Sequence, residues 1–112
     1  MLPVKKIDIT YVFCTDDALL KKNIVFLNHD TLTDIITFDL SEDEEKLVAE
    51  IYISIERVRE NALLFDVSYK QELHRVIFHG MLHLCGFKDK TDKEAKEMRL
   101  QESACLQQYF KD

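Results

Sequence analysis

Two histidines four residues apart, His79 and His83, stand in the segment HGMLHLCGFKD, residues 79–89. On a helix this spacing puts both imidazoles on one face, one turn apart. It is the spacing with which two nitrogen ligands share one metal ion. Gly86 follows three residues later. A glycine in the left-handed conformation ends a helix there and turns the chain back at low cost. Asp89 then comes within reach of the same ion as a third ligand. Two histidines and a carboxylate are ordinary zinc ligands, and three protein ligands leave a fourth position open to water, the mark of a catalytic site. The segment therefore reads as a one-zinc site with His79, His83 and Asp89 as ligands.

Gly80 and Gly86 are the only glycines in the chain, and both are read as structural residues of this site. Glycine inside a helix costs about 1 kcal/mol relative to alanine, so Gly80 implies a compensating close packing or space for a substrate. The layout H-x-x-x-H-x-x-G-x-x-D is shared with metzincin proteases. A zinc protease carries glutamate after the first histidine as its base. Gly80 stands there instead, which argues against a protease, and the sequence assigns no general base.

The elements that must position these residues follow from periodicity. Residues 7–13 alternate, with Ile7, Ile9, Tyr11 and Phe13 on one face, and read as a strand. Thr15 is an N-cap with Asp16 and Asp17 in the first turn of a helix over about 16–27. Residues 34–40 and 47–55 alternate again and flank SEDEE, a solvated hairpin loop. Ser54 caps a helix from about Glu56 to Phe65. Ser68 and Gln71 form a capping-box pattern ahead of the stripe Leu73, Val76, Ile77, Gly80 and Leu84. Thr91 and Glu94 open a last helix, with Ala95, Met98, Cys105, Leu106 and Tyr109 as its expected buried side. The order β-α-β-β-α-α-α predicts an α+β fold, a small mixed β-sheet of three to four strands packed against helices. The metal site falls on a helix and the following turn.

With 112 residues the chain has room for one core and reads as a single domain over residues 1–112. Apolar residues are 46% and charged residues 32%, so it is globular rather than disordered. The net charge of −6 argues against a general polyanion binder. It leaves room for one basic groove. Three cysteines, Cys14, Cys85 and Cys105, make no disulfide framework and point to a reducing compartment. No apolar run approaches the ~20 residues of a membrane span, and the N-terminus lacks a signal-peptide core. The expectation is a cytoplasmic protein with no membrane association.

The segment HGMLHLCGFKD resembles the signature of the YbeY family of bacterial rRNA-maturation endoribonucleases, H-G-x-L-H-L-x-G-Y-D-H. TDIITF (33–38) and AEIYIS (49–54) are similar to two strands of that family, and QELHRVIFHG (71–80) to its motif helix. The resemblance covers most of the chain. It implies a zinc-dependent hydrolase of single-stranded RNA, connected with 16S rRNA maturation and ribosome quality control, with the small ribosomal subunit as partner. The sequence departs from the family in three places. Asp89, preceded by Lys88, replaces the third histidine. Leu27 stands where the family has an arginine, with His29 the nearby replacement. The chain starts after the family's first strand and helix, so its sheet is expected to expose an edge through which copies could pair.

The remaining polar residues divide as follows. Arg59, Arg75 and Lys88 are candidates to contact phosphate in a metal-assisted hydrolysis. Arg57, Arg59 and Arg75 could each contact phosphate, but all three are read chiefly as exposed helix charge. Glu50 and Asp34 are read as orienting groups or structural acceptors. Cys85 is read as core packing, and His74 as a surface or supporting group. Two other readings compete with the nuclease: a non-catalytic ribosome- or RNA-binding module with a stabilising metal, and a zinc hydrolase of another substrate.

Overall fold

The computed structural model describes residues 6–27 and 33–110; His29 lies outside them. Strand β3 (Lys46–Ser54) is the centre of the sheet. Its residues Leu47, Ala49, Ile51 and Ile53 are buried, and the residues between them are half-buried, the period of two that a strand imposes. β1 (Lys6–Cys14) pairs parallel to it, and β2 (Ile35–Asp39) antiparallel. The result is a three-stranded mixed sheet in the order β1-β3-β2. The β2–β3 connection is the expected hairpin. Ser41 Oγ accepts from the Val48 amide at 2.9 Å, and Asp43 Oδ1 accepts from the Glu45 and Lys46 amides at 2.9 and 3.1 Å.

Four helices complete the α+β fold: α1 (Asp16–Leu27), α2 (Ile55–Phe65), α3 (Tyr69–Leu84) and α4 (Asp92–Tyr109). Each begins at the expected cap. Thr15, Ser54, Ser68 and Thr91 side chains accept from the amides of Ala18, Arg57, Gln71 and Glu94 at 3.0–3.1 Å. Thr91 and Glu94 form a reciprocal capping box. Strand β3 ends at Ser54 rather than at residue 55, because Ser54, still paired with Cys14, also caps α2, which begins at Ile55. Some large apolar residues stand at the surface. Ile7 and Phe13 on the edge strand β1 are 61% and 50% exposed, since β1 has one strand neighbour among the described residues. Tyr109 is exposed and stacks on His74 rather than entering the core.

Helix α3 lies on the face of the sheet that carries Ile35 and Ile51. A Cβ on Gly80 would stand 2.9 Å from Ile35 Cδ1 and 3.2 Å from Ile51 Cδ1. The glycine therefore allows a close approach of helix to sheet, which offsets its poor helix propensity. Helix α1 meets the opposite face, where Lys22 Nζ lies 4.5 Å from the centroid of the Tyr52 ring.

The N-termini of α1 and α2 are tied together. Asp16 accepts from Ser54 Oγ at 2.6 Å and from Arg57 Nη2 at 2.9 Å. Burial alone would raise the Asp16 pKa, but the bonds from Ser54 and Arg57 outweigh it and hold the carboxyl below its ordinary value. A carboxyl lowered in the folded state stabilises fully above the ordinary aspartate range, near pH 4, and loses that contribution as pH falls through the lowered value. Asp16→Asn should therefore flatten the acid limb of a stability–pH curve measured by urea unfolding. An unchanged acid limb would remove Asp16 from the account. At Gly80, Val should lower the midpoint of thermal unfolding by displacing α3, at a cost of about 1–3 kcal/mol. A Gly80→Val protein as stable as wild type would show that the close approach is not required.

Candidate metal centre

His79 and His83 project from the last two turns of α3. After Leu84 the helix closes in a Schellman turn. The Gly86 amide donates to His83 O and the Phe87 amide to Leu82 O, each at 3.0 Å. Gly86 has φ 100°, in the left-handed region, with nothing near its missing side chain; conformation, not space, selects glycine here. The turn has two effects. It brings Asp89 back beside both histidines, and it presents Phe87 O to His83 Nδ1 at 3.0 Å.

Three donor atoms converge. His79 Nε2 and His83 Nε2 are 3.0 Å apart, and each is 3.3 Å from Asp89 Oδ2. The Nδ1 atoms face acceptors: Phe87 O for His83, and a carboxylate oxygen of Glu102 for His79. Burial alone would raise the Glu102 pKa, but the bond from His79 and the Arg75 charge outweigh it and lower it, so the carboxyl is ionised and can only accept. With its proton on Nδ1, facing that acceptor, an imidazole turns a bare Nε2 lone pair into the cluster. In that tautomer neither Nε2 can donate to the other. Two imidazole lone pairs and a carboxylate facing one another are a donor set that a cation satisfies, so the residues present fit a bound metal.

Behind His79 lies a buried polar network. Glu102, on α4, is 4% exposed, and Glu72, on α3, 2%. Arg75 donates to Glu72 through Nε at 2.9 Å and Nη2 at 2.7 Å, to Glu102 Oε1 at 3.1 Å, and to Asp34 Oδ2 at 3.4 Å. Burial would lower the Arg75 pKa, but hydrogen bonds and charge from Glu72 and Glu102 raise it. In front of the histidines opens a cleft of about 680 Å³, walled by residues 33–37, Asn23, His79, His83, Asp89 and Lys90.

The sequence candidates distribute themselves unequally. His79, His83 and Asp89 meet, and Gly80 and Gly86 place them. Arg75, a phosphate-contact candidate read chiefly as exposed helix charge, is part-buried and faces three carboxyl groups. Arg59 lies over the Tyr69 ring at 5.6 Å, and neither it nor Lys88 is among the residues lining the cleft. The cleft's lysine is Lys90. Arg57 pairs with Asp16. Asp34 accepts from Arg75 and from Asn61, and Glu50 from the Tyr52 hydroxyl. Cys85 is exposed at the end of α3 rather than packed in the core, because the helix closes beside it. His74 stacks among Phe78, Tyr109 and Phe110. Glu72 and Glu102 were missed. Both interrupt apolar stripes at helical spacing, Glu72 with Val76, Gly80 and Leu84, and Glu102 with Met98.

Fold and site define a class: a small α+β domain with a two-histidine, one-carboxylate donor set on a helix and its closing turn. The family model described as Endoribonuclease YbeY matches residues 2–110, and the chain belongs to that family. It is 53% identical over 100 residues to Endoribonuclease YbeY of Cytophaga hutchinsonii, covering 89% of this chain and 70% of that protein. It is 50% identical over 97 residues to Endoribonuclease YbeY of Amoebophilus asiaticus, covering 87% and 66%. A solution structure of a Thermotoga maritima protein is similar with a TM-score of 0.59 and 29% identity, over 88% of this chain and 65% of that one. The chain thus spans about two thirds of the length of these proteins.

Gly86→Ala should weaken metal binding although glycine ligates nothing. The left-handed conformation costs a residue with a Cβ about 1–2 kcal/mol, or up to a ~5–30-fold loss of affinity. Zinc titration of the folded variant is the check, and wild-type affinity would refute the role given to this turn.

Proposed function

We propose that the chain is a zinc-dependent endoribonuclease of single-stranded RNA. It acts in 16S rRNA maturation and ribosome quality control, as a single cytoplasmic domain that meets the small ribosomal subunit. One zinc per chain is held by His79, His83 and Asp89. The observation that carries the reading is the convergence of three donor atoms at 3.0–3.3 Å with both Nδ1 atoms facing acceptors outside the cluster. Zinc bonds of about 2.0–2.2 Å at tetrahedral angles separate ligand atoms by about 3.3–3.5 Å, close to that spacing. The family membership supplies the substrate class.

Bound there, zinc supplies Lewis-acid activation of water and of a phosphoryl oxygen. The chain's own residues do the rest. Residues 33–37 wall the cleft opposite the histidines and confine an extended strand beside them. Lys90 gives that cleft a cation for a phosphate. Gly80 leaves the position after His79 without a carboxylate, so that position supplies no general base.

A second reading is a non-catalytic RNA- or ribosome-binding module with a stabilising metal. The capture of Arg75 by carboxyl groups favours it, since that removes a candidate transition-state cation. One assay separates the two. Zinc-loaded protein should cleave single-stranded RNA while His79→Ala does not; no cleavage by either would leave the module. Elemental analysis should give about one zinc per chain, lost in His79→Ala and His83→Ala. Asp89→Asn keeps the shape without the charge and should bind zinc much more weakly. Equal affinity would mean that Asp89 is not a ligand.

A further inference from the structure

We infer that Glu102 and Arg75 are positioning residues that set the tautomer and orientation of His79, and that Arg75 ties this ligand to the strand walling the cleft. The inference rests on the metal-site reading above. It concerns the residues behind the site, not the donor set itself.

The geometry runs as one chain of hydrogen bonds. His79 Nδ1 donates to one oxygen of Glu102, and the other oxygen accepts from Arg75 Nη1 at 3.1 Å. Arg75 is itself gripped at Nε and Nη2 by Glu72, so its guanidinium plane is fixed before Glu102 arrives. The fourth contact, Nη2 to Asp34 Oδ2 at 3.4 Å, reaches the start of β2. Asp34 also accepts from Asn61 Nδ2 at 3.3 Å, and its carbonyl accepts from the Ser54 amide at 3.0 Å. Arg75 therefore joins α3, α4 and the cleft wall at one point. A ligand histidine whose outer nitrogen donates to a carboxylate is held in one tautomer and made more basic.

The burial of this network is the second argument. A glutamate left unpaired at 4% exposure would be strongly destabilising, and here it replaces the apolar residue that the stripe containing Met98 calls for. One guanidinium faces three carboxyl groups. The excess of acid lies directly behind His79, where it favours a cation bound on the other side of the ring.

Glu102→Gln is the discriminating variant, because its amide is wrong in either orientation. If the amide nitrogen faces His79, it can only donate, so Nδ1 must accept and the proton moves to Nε2, where the metal should bind. If the amide oxygen faces His79, the nitrogen points two protons at a guanidinium. Arg75→Lys removes the planar fork and leaves a single point donor.

The measurements are zinc affinity by chelator competition, the visible spectrum of the cobalt(II)-substituted protein, and unfolding of the metal-free protein. The expected result is a loss of zinc affinity of about 10–100-fold in Glu102→Gln, with an altered cobalt spectrum. Arg75→Lys should show a smaller loss, and Glu97→Gln, on the same helix outside the network, none. Wild-type affinity and spectrum in a folded Glu102→Gln protein would overturn the inference and leave the metal site standing. Failure of wild type to bind zinc would overturn the reading of the site instead. Nitrogen-15 NMR of metal-free wild type needs no variant: His79 should carry its proton on Nδ1, and a proton on Nε2 would overturn the inference directly.

Discussion

The close seating of α3 on the sheet is the constraint from which the site follows. At Gly80 the helix backbone comes near enough to Ile35 and Ile51 that an added Cβ would crowd both. Ile35 begins β2 and Ile51 lies at the middle of β3, so the contact fixes the helix against two strands at once. The residue before Gly80 is His79, and the strand it faces is the one that walls the cleft. A larger residue at position 80 would lift the ligand helix away from that wall. The glycine thus sets the width of the cleft between the histidines and that wall.

The donor set is organised from two directions. The Schellman turn at Gly86 acts from the C-terminal end of α3, supplying Asp89 and the acceptor for His83. Helix α4 acts from behind, supplying the acceptor for His79. The two imidazoles are therefore held by unlike devices, one a backbone carbonyl in a turn and one a buried carboxylate. Among the described residues, the second is linked to the rest of the fold by further charged groups, through Arg75 to Glu72 and Asp34.

Much of the fold was legible because each element announces itself locally. The period of two in residues 47–53 and the caps at Thr15, Ser54, Ser68 and Thr91 need no knowledge of distant contacts. The histidine pair and the glycine stop were legible for the same reason, since spacing along a helix and one left-handed residue are local properties. What the sequence hid is tertiary. Arg75 looks like an exposed helix cation until α4 packs beside it and brings Glu102. Glu102 sits at a core position of its stripe, and a charged residue there is explained only by partners from another helix. Tyr109 fits the apolar face of α4 by spacing, yet α4 packs on α3, and at its last turn the ring meets His74 and Phe78 of that helix.

The sheet also carries an order of assembly. Strands β2 and β3 are hairpin neighbours, and Asp39 pairs with Ala49, ten residues on. Every β1–β3 pair joins residues forty apart, from Lys6 with Lys46 to Cys14 with Ser54. Loop-closure entropy makes the longer connection costlier by about 1 kcal/mol before any contact compensates. β1 also has the fewest buried side chains of the three strands. The parallel strand is thus the piece that joins last as the chain folds and leaves first when it opens, with amide exchange in β1 ahead of that in β3 as the signature. The hairpin and α3, which carry the cleft wall and the histidines, can persist through that opening.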